Sequence, residues 1–402
     1  MVESSEGALG FSLEWVEEGL VQFQVPEGSQ RLPRGFKGPG TVSGPVFYNP
    51  GMELNRDFAV AFLHTYHGYI NKPLTVCDPM AGCGVRGIRF AREASGVNHV
   101  VMADINPKAV ALTKLNVQHA GLQKSVDVTC EEANALLMSY AKPGKRLDYV
   151  DVDPFGSPAV FIESAVRSLR NGGILAFTAT DVAVLCGVHA RACIRRYATK
   201  PLRSEYAHEV AARILLGFAA LTAARSDLAI HPLLIHSTDH YIRVYIQVVK
   251  SVGHSDRCID SMGYIHHCRT CLNRITRHGF LQCSREKCER CGSSMDFAGP
   301  LWLGPLWNEE FCRRIAESIQ KMKLGQKQRL TQILNRILGE ARGPPTFYDL
   351  SVICDMLNLP VPPMVKMLAA IKKRGCDATL THFNPLGIRT TASIFDVVQS
   401  IR

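Results

Sequence analysis

A regular alternation of strand-like and helix-like segments between residues 74 and 180 constrains the fold of this chain more than any other feature. Short apolar runs with the composition of buried strands are each followed by a segment in which apolar residues recur with helical spacing. Apolar strands separated by amphipathic helices form a parallel sheet covered by helices on both faces. The sequence therefore predicts an α/β fold with a doubly wound, Rossmann-like sheet. The predicted strands are 74–78, 99–104, 126–130, 147–153, 173–180 and 241–249, and the predicted helices are 54–70, 86–95, 107–119, 133–140, 158–170 and 203–225.

The 402-residue chain is long enough for two or three domains. A short hairpin is predicted at 13–25, and the Gly/Pro-rich stretch after it carries Arg31, Arg34 and Lys37. The composition changes again near 251–262, where the alternation of strands and helices ends. We predict an N-terminal hairpin with a basic arm (1–46), a doubly wound domain (47–255) and a smaller α+β domain (256–402), whose last part, 344–402, is typical of a winged-helix-like unit.

Positive charge is concentrated in the last part of the chain. Residues 1–250 hold 25 Lys+Arg and 23 Asp+Glu, a net +2, whereas residues 251–402 hold 21 and 13, a net +8. This asymmetry indicates either a polyanionic partner for the C-terminal part or a solvated basic surface, and charge alone does not distinguish the two.

The composition favours a cytoplasmic protein that does not bind membranes. No apolar run reaches the ~20 residues of a membrane span. Glu3, Glu6 and Glu14 lie where a signal peptide would have basic and apolar residues. The 14 cysteines are therefore expected to be thiols or metal ligands, because the cytosol keeps thiols reduced.

A glycine turn follows the first predicted strand, and acidic residues follow the first three. The turn begins at Asp78, and its Gly82 and Gly84 would let the backbone approach a ligand closely. Asp104 follows the second strand, where a carboxylate accepts hydrogen bonds from ribose hydroxyls. Glu131 and Glu132 follow the third strand, where either is placed to meet the adenine amine. These positions together predict an adenosine pocket.

The glycine spacing does not identify the cofactor. Gly82, Gly84 and Gly87 satisfy the pattern G-x-G-x-x-G, which is also typical of dinucleotide-binding proteins. The carboxylate of Asp78 at the mouth of the turn would repel a pyrophosphate, but it suits the ammonium group of a methionyl moiety. S-adenosylmethionine is therefore preferred over a nicotinamide cofactor, which remains the alternative.

The fourth predicted strand ends in Asp153-Pro154-Phe155-Gly156, at the edge where open α/β sheets bind their ligands. The exocyclic amine of a nucleobase is a weak nucleophile because its lone pair is delocalised into the ring. A carboxylate at Asp153, beside the backbone carbonyl of Pro154, can accept the amine N–H and its proton. Phe155 offers a face for stacking a flipped base. The tetrapeptide predicts methylation of a base amine.

Two CxxC pairs predict a structural zinc site in the C-terminal domain. Sixteen residues separate the pair Cys268 and Cys271 from the pair Cys288 and Cys291, the spacing of a four-thiolate site. Such a site leaves no open coordination position, so a catalytic metal is not expected. Cys283, His266 and His267 are possible substitutes for one ligand, whereas Cys258 is expected not to take part.

These motifs together resemble the tRNA guanine-N2 dimethyltransferases that modify guanine 26. The resemblance extends from about residue 47 to residue 390, and the matching segments are 47–50, 55–57, 78–87, 103–106, 133–135, 153–158, 180–181, the two CxxC pairs with 299–302, and 381–383. It implies a class I methyltransferase domain that uses S-adenosylmethionine, joined to a smaller zinc-containing α+β C-terminal domain.

The resemblance also assigns roles to single residues. It implies that Arg56 and Arg86 reach the cofactor, that Asp104 holds the ribose, and that Glu132 with Ala133 lies beside the adenine, although family members more often have Asp where Glu132 stands. Asp153 and Phe155 would form the catalytic pair. The target base would be lined by Phe47, Tyr48 and Asn49, with Pro154 next to them. Asp57 is expected to brace Arg56, and Asp181 to cap a helix.

We therefore predict transfer of one or two methyl groups from S-adenosylmethionine to the N2 of a tRNA guanine, with tRNA as partner and no obligate protein partner evident. Two alternatives are an amine methyltransferase acting on DNA or ribosomal RNA and a non-catalytic RNA-binding zinc protein.

Overall fold

The computed structural model of the chain describes residues 9–29, 44–281 and 286–401. The predicted basic arm with Arg31, Arg34 and Lys37 lies outside the described residues. The chain forms two compact units. Unit 1 comprises Met1–Ala179, Tyr245–Val249 and Arg313–Gln332, and unit 2 comprises Thr180–Val244, Lys250–Cys312 and Ile333–Arg402. The boundaries at 46/47 and 255/256 remain predictions.

The N-terminal hairpin forms as predicted. Strands β1 (Leu13–Glu18) and β2 (Val21–Pro26) pair antiparallel. The turn between them includes Gly19 at a φ of 59°, a left-handed conformation that glycine adopts without strain. The hairpin places Glu18 at the end of β1, buried at 3% exposure.

The main sheet has seven strands in the order β5-β4-β3-β6-β7-β9-β8. Strand β3 pairs parallel with β4 and with β6, β4 with β5, and β6 with β7, so the predicted doubly wound sheet is confirmed. Strand β8, which the sequence analysis did not separate, is an additional member. The strands are β3 (Leu74–Asp78), β4 (Val97–Ala103), β5 (Val126–Thr129), β6 (Leu147–Val152), β7 (Leu169–Ala179), β8 (Leu228–Thr238) and β9 (Tyr241–Lys250).

Two helices of unit 1 begin at residues whose side chains accept from free backbone N–H groups. The Asn106 side chain accepts from Lys108 N with Pro107 at the first helical position, and the Glu132 side chain accepts from Ala135 N. A Cβ on Gly87 would overlap the side chain of Met102 in β4, so this glycine allows close helix–strand packing. The helices are α1 (Glu53–Ile70), α2 (Val85–Glu93), α3 (Pro107–His119), α4 (Ala133–Tyr140) and α5 (Ile162–Ser168).

Unit 2 contains a buried apolar helix. The helices that follow β7 are α6 (Val182–Leu185), α7 (Ala190–Tyr197), α8 (Ala207–Ala224) and α9 (Val252–Asp260). Among the helices of the described residues, only α8 is long and apolar enough to cross a membrane, and 78% of it is buried inside the protein. A helix that is buried to this extent is typical of the core of a globular protein.

A three-stranded sheet carries the cysteine pairs. Strand β10 (Met262–His267) lies between β11 (Arg274–His278) and β12 (Asp296–Trp302) and pairs antiparallel with both. Helices α10 (Glu309–Ser318) and α11 (Lys327–Glu340) follow.

The C-terminal segment has the strand–helix–helix–strand–strand order of a winged-helix unit, with its sheet in the order β13-β15-β14. Its elements are β13 (Tyr348–Asp349), α12 (Leu350–Leu357), α13 (Met364–Lys373), β14 (Ala378–Leu380), β15 (Gly387–Thr390) and a final helix α14 (Ile394–Ile401). Buried Ile353, Met367, Ile371 and Ile388 form its core, and Leu272 from the first cysteine pair belongs to the same core cluster.

A fully buried charge network fixes the base of this segment. The Arg389 guanidinium of β15 donates to Glu340 at 2.8 Å and to Glu209 of α8 at 2.8 Å. Burial alone would raise the pKa of Glu209, but Arg389 and Arg213 outweigh burial and lower it to about 2. His382 contacts Glu340 at 2.6 Å. Each buried charge therefore has a partner of opposite sign.

Candidate active site

Three carboxylates lie at the same edge of the sheet. Asp78 ends β3, Asp104 follows β4 and Asp153 follows β6, and these strands are parallel neighbours. Because the carboxyl ends of parallel strands meet at one edge, the topology gathers these acids there. The sheet thus brings together the residues that the sequence placed at separate strand ends.

The glycine turn is closed by Asp104. Gly82 and Gly84 have φ values of 56° and 83°, which disfavour any side chain. The N–H of Gly82 donates to Asp104 Oδ2 at 2.9 Å, and the N–H of Asn106 donates to Oδ1 at 2.8 Å. Asp104 is half-buried, so its remaining acceptor positions are available to a ligand hydroxyl.

Asp78 is a buried carboxylate with an unsatisfied oxygen. It is 1% exposed, its Oδ1 accepts from Met80 N at 3.4 Å, and its Oδ2 has no hydrogen-bond partner among the described residues. Burial raises the pKa of Asp78 to about 7; Arg86 opposes this rise and Asp151 adds to it. A buried acceptor without a partner in a binding cleft fits a cationic ligand group.

Arg86 connects the glycine turn to the predicted catalytic carboxylate. This buried arginine of α2 donates to Asp153 Oδ2 and, at 3.0 Å, to Asn55 Oδ1. It also lies 3.6 Å from Asp151 Oδ1. The predicted cofactor residue Arg86 therefore holds Asp153 in place, since it forms an ion pair with it.

Phe155 is prominently exposed beside this ion pair. Its side chain is 66% exposed. Phe47 packs edge-on against it with ring centroids 4.6 Å apart. Pro154 between Asp153 and Phe155 is buried. The structure thus places an accessible aromatic face two residues from the predicted catalytic carboxylate.

The other two residues predicted to line the target base have internal partners. The hydroxyl of buried Tyr48 donates to Glu18 at 2.8 Å, and the Asn49 side chain accepts from Gly51 N at 2.9 Å. Of the predicted Phe47-Tyr48-Asn49 set, Phe47 is the residue whose ring packs against Phe155. A direct role of Tyr48 and Asn49 in base contact remains a prediction.

Arg56 is held in a buried ion pair. Its Nε donates to Glu18 Oε2 at 2.8 Å, and its Nη2 donates to Asn49 O at 3.0 Å. Burial alone would raise the pKa of Glu18, but Arg56 and Arg89 outweigh burial and lower it. The predicted contact between Arg56 and the cofactor remains a prediction.

The prediction that Asp57 braces Arg56 is wrong, because its carboxylate has other partners. Its Oδ1 accepts from Arg89 at 2.6 Å, and its Oδ2 accepts from Gln326 N at 2.7 Å. Arg89 also pairs with Glu93, one helical turn later in α2, at 2.9 Å. The expectation was wrong because the neighbour of Asp57 in space comes from α2, which the chain sequence does not reveal.

Glu132 is exposed, and its carboxylate caps α4 by accepting from Ala135 N at 2.9 Å. Ala133 next to it is buried.

Asp181 stands at the N-cap position of α6, but its side chain makes no capping hydrogen bond there. Its carboxylate instead accepts from the Tyr197 hydroxyl at 2.9 Å and from Arg196.

The four predicted metal ligands converge in unit 2. The sulfur atoms of Cys268, Cys271, Cys288 and Cys291 all lie within 4.8 Å of one another. The two pairs fold alike, because Leu272 N donates to Cys268 O at 2.9 Å and Gly292 N donates to Cys288 O at 2.8 Å. Four cysteine sulfur atoms this close together fit a structural zinc ion, which four thiolates would hold.

The proposed substitute ligands do not join this cluster where they are described. His266 and His267 are buried in β10 and are not members of the group, and Cys258 donates to Ile230 O instead. Cys283 lies outside the described residues.

Sequence reasoning missed several residues of this site. Glu18 and Asp151 contact predicted site residues, but they belong to no recognised motif. Asn55 lies in the matching segment 55–57, yet its contact with Arg86 was not predicted. Ile105 carried a usable signal, since it follows Asp104 at a strand end, and it is 72% exposed. An exposed isoleucine at this position offers an apolar surface beside the expected adenosine.

The doubly wound sheet, the glycine turn and the acids at the strand ends define a class I methyltransferase domain with a zinc-containing α+β domain. The family model described as "TRM: N2,N2-dimethylguanosine tRNA methyltransferase" matches residues 27–402, and the chain belongs to this family.

Relatives and a solved structure agree with this membership. The chain is 38% identical over 387 residues to a tRNA (guanine(26)-N(2))-dimethyltransferase of Methanosphaera stadtmanae, covering 96% of each chain. It is 37% identical to a tRNA (guanine(26)-N(2)/guanine(27)-N(2))-dimethyltransferase of Aquifex aeolicus, covering 97% of this chain and 96% of the relative. The structure of Trm1 from Pyrococcus horikoshii with S-adenosyl-L-methionine matches with a TM-score of 0.85 and 32% identity, covering 97% of this chain and 100% of the other.

Proposed function

We propose that this protein transfers methyl groups from S-adenosylmethionine to the exocyclic N2 of guanine 26 in tRNA. One observation carries the proposal: Asp153, fixed by Arg86, stands at the strand edge beside the exposed ring of Phe155. A carboxylate next to a stacking surface is what amine methylation on an extruded base needs.

Several residues of the crevice would hold S-adenosylmethionine, which supplies an activated methyl group on a sulfonium. The unsatisfied Oδ2 of Asp78 would accept from its ammonium, and Asp104 from its ribose. Ile105 and Ala133 would offer apolar surface to the adenine. Among these residues, Asp78 has the strongest support as a cofactor contact, because its buried Oδ2 has no hydrogen-bond partner among the described residues.

Asp153 would orient the amine and receive its proton. Arg86 occupies one carboxylate oxygen, and a carboxylate has about four acceptor positions, so an incoming N–H can still be accepted. Phe155 would hold the base by stacking, supported edge-on by Phe47. Catalysis would then depend on positioning and on proton acceptance.

Mass spectrometry of nucleosides from unmodified tRNA incubated with the protein and S-adenosylmethionine tests the proposal. We expect N2-methylated guanosine, located by fragment analysis at position 26, and no product with DNA or ribosomal RNA under the same conditions. Methylation of those substrates in place of tRNA, or tRNA binding without any methylation, would overturn it. No observation favours either alternative.

Asp78 gives a prediction in which affinity and stability move in opposite directions. At pH 8 we expect Asp78→Asn to weaken S-adenosylmethionine binding by about tenfold or more, because the ammonium loses a charged acceptor. The same change should stabilise the ligand-free protein. The pKa of Asp78 rises from 3.8 to about 7 on folding, so its stability contribution declines as pH increases between these values, by up to about 4 kcal/mol.

Calorimetric titration and thermal unfolding at pH 5 and pH 8 measure both effects. For the native protein, cofactor affinity should fall as pH drops below about 7, because Asp78 becomes protonated. Asp256→Asn, on an exposed carboxylate of α9, is the matched control and should change neither quantity. Unchanged cofactor affinity in Asp78→Asn would contradict the assignment of this carboxylate.

We also propose that the protein is soluble and cytoplasmic, where its tRNA substrate is found. The absence of membrane association and of an obligate protein partner remain expectations.

A further inference from the structure

The outer face of α13 is basic and exposed. Lys366, Lys372 and Lys373 are exposed, as are Val365, at 80%, and Ala369 between them. The opposite face is buried through Met367 and Ile371, which belong to the core of the segment. The helix has no acidic residue. It therefore presents three positive charges on one surface and packs through the other.

None of these three lysines forms an ion pair with another described residue. Arg374, by contrast, donates to Gln399 O at 3.2 Å and so ties the end of α13 to the last helix. The three ammonium groups are thus available to an external anion, whereas the neighbouring arginine has a structural role.

The spacing of the lysines suits a polyanion with repeated charges. Lys366 and Lys373 are seven residues apart, which is two helical turns or about 10.5 Å along the axis. Ala369 and Ala370 fill the surface between them, so no long side chain prevents close approach. Lysines act as point charges without the planar geometry of arginine, which favours contact with phosphates over reading of bases.

The position of α13 in its unit supports this interpretation. It is the second helix of a strand–helix–helix–strand–strand segment, the place of the helix that contacts nucleic acid in helix-turn-helix folds. The buried Arg389–Glu340 and Arg389–Glu209 ion pairs fix the base of the segment. A rigid base lets the helix present its charges without a cost for ordering the backbone on binding.

We propose that the exposed face of α13, formed by Val365, Lys366, Ala369, Lys372 and Lys373, binds the phosphates of a double-helical stem of the tRNA. This inference rests on the proposed function and adds the surface through which the substrate is held. Recognition would be of backbone charge and A-form shape, without base selection. It assigns part of the +8 charge of residues 251–402 to a single helix.

The test is tRNA binding by the full-length chain without S-adenosylmethionine, measured across a range of salt concentrations. We expect the triple variant K366Q/K372Q/K373Q to bind tRNA about 10- to 100-fold more weakly at 0.15 M salt. The slope of log affinity against log salt should fall by about two to three. The methylation rate at saturating tRNA should be unchanged.

A matched control removes three exposed lysines from loops of unit 1, as K124Q/K142Q/K145Q, with the same change in net charge. This control should keep the native affinity and slope. Equal affinities in the two triple variants would overturn the proposal. So would an unchanged tRNA affinity accompanied by a change in molar mass on light scattering, which would assign the face to a second copy of the chain.

The two hypotheses fail separately. If tRNA binding is lost in the α13 variant but not in the control, and the native protein methylates nothing, the tRNA-binding surface is supported and the proposed reaction is rejected. If the native protein methylates tRNA and the α13 variant binds tRNA normally, the reaction is supported and the proposed surface is rejected.

Discussion

Asp153→Asn should lower the rate of methyl transfer to tRNA by about 10²- to 10⁴-fold, the usual contribution of a positioned proton acceptor. The amide keeps the shape of the carboxylate and can still accept from Arg86, so the crevice should remain folded. It cannot take the proton of the amine. The effect should therefore appear in the single-turnover rate at saturating tRNA and S-adenosylmethionine, with both affinities within about threefold of the native values.

The matched control is Asp127→Asn, which makes the same chemical change on an exposed carboxylate of β5. Its rate should equal that of the native protein. If Asp153→Asn retains more than a tenth of the native rate, the proton is accepted elsewhere and the assignment of Asp153 is wrong. A loss of tRNA affinity with an unchanged rate would instead make this residue part of substrate binding.

Cys271→Ser should remove the zinc and strongly destabilise unit 2. The four sulfur atoms lie within 4.8 Å, so they act as one site, and the apparent binding free energy of structural zinc is about 10–16 kcal/mol. Leu272, next to this cysteine, is part of the winged-helix core, so loss of the metal should loosen that core also. Even a loss of 4 kcal/mol would lower the melting temperature by about 10 °C.

Elemental analysis and thermal unfolding measure this effect. The native protein should hold one zinc per chain, and Cys271→Ser much less. Cys130→Ser, at an exposed cysteine after β5, should match the native protein in both measurements. Chelation of the native protein should reproduce the loss of stability, and added Zn²⁺ should reverse it. A native stability in metal-free Cys271→Ser would show that the cluster does not support the fold.

Features encoded in short stretches of sequence were predicted well. The alternation between 74 and 180 specified the parallel sheet, because apolar periodicity repeats within each element. The two CxxC pairs specified the cysteines that converge in one cluster, since each pair forms a compact turn that depends on few distant residues. Asp78, Asp104 and Asp153 were placed correctly at strand ends, where the direction of parallel strands leaves one possible edge.

The hydrogen-bond partners of other predicted site residues, such as Arg56 and Tyr48, could not be predicted from the sequence. Arg56 was expected near the cofactor, yet its ion pair is with Glu18, 38 residues earlier in a separate hairpin. Tyr48 was expected at the target base, and its hydroxyl donates to the same glutamate. A side chain of this kind has several chemically suitable partners, and only the packing of the hairpin on α1 selects one.

The sequence by itself therefore determined the class of fold, the cysteines that converge in one cluster and the edge of the sheet at which the acidic residues gather, because each follows from local periodicity, short spacing or strand direction. Only the tertiary structure decided which charges meet. The Arg86–Asp153 pair joins residues 67 positions apart, and the Arg389–Glu209 pair joins residues 180 apart. Buried charges must be paired, but the identity of each partner depends on contacts made after the chain has folded.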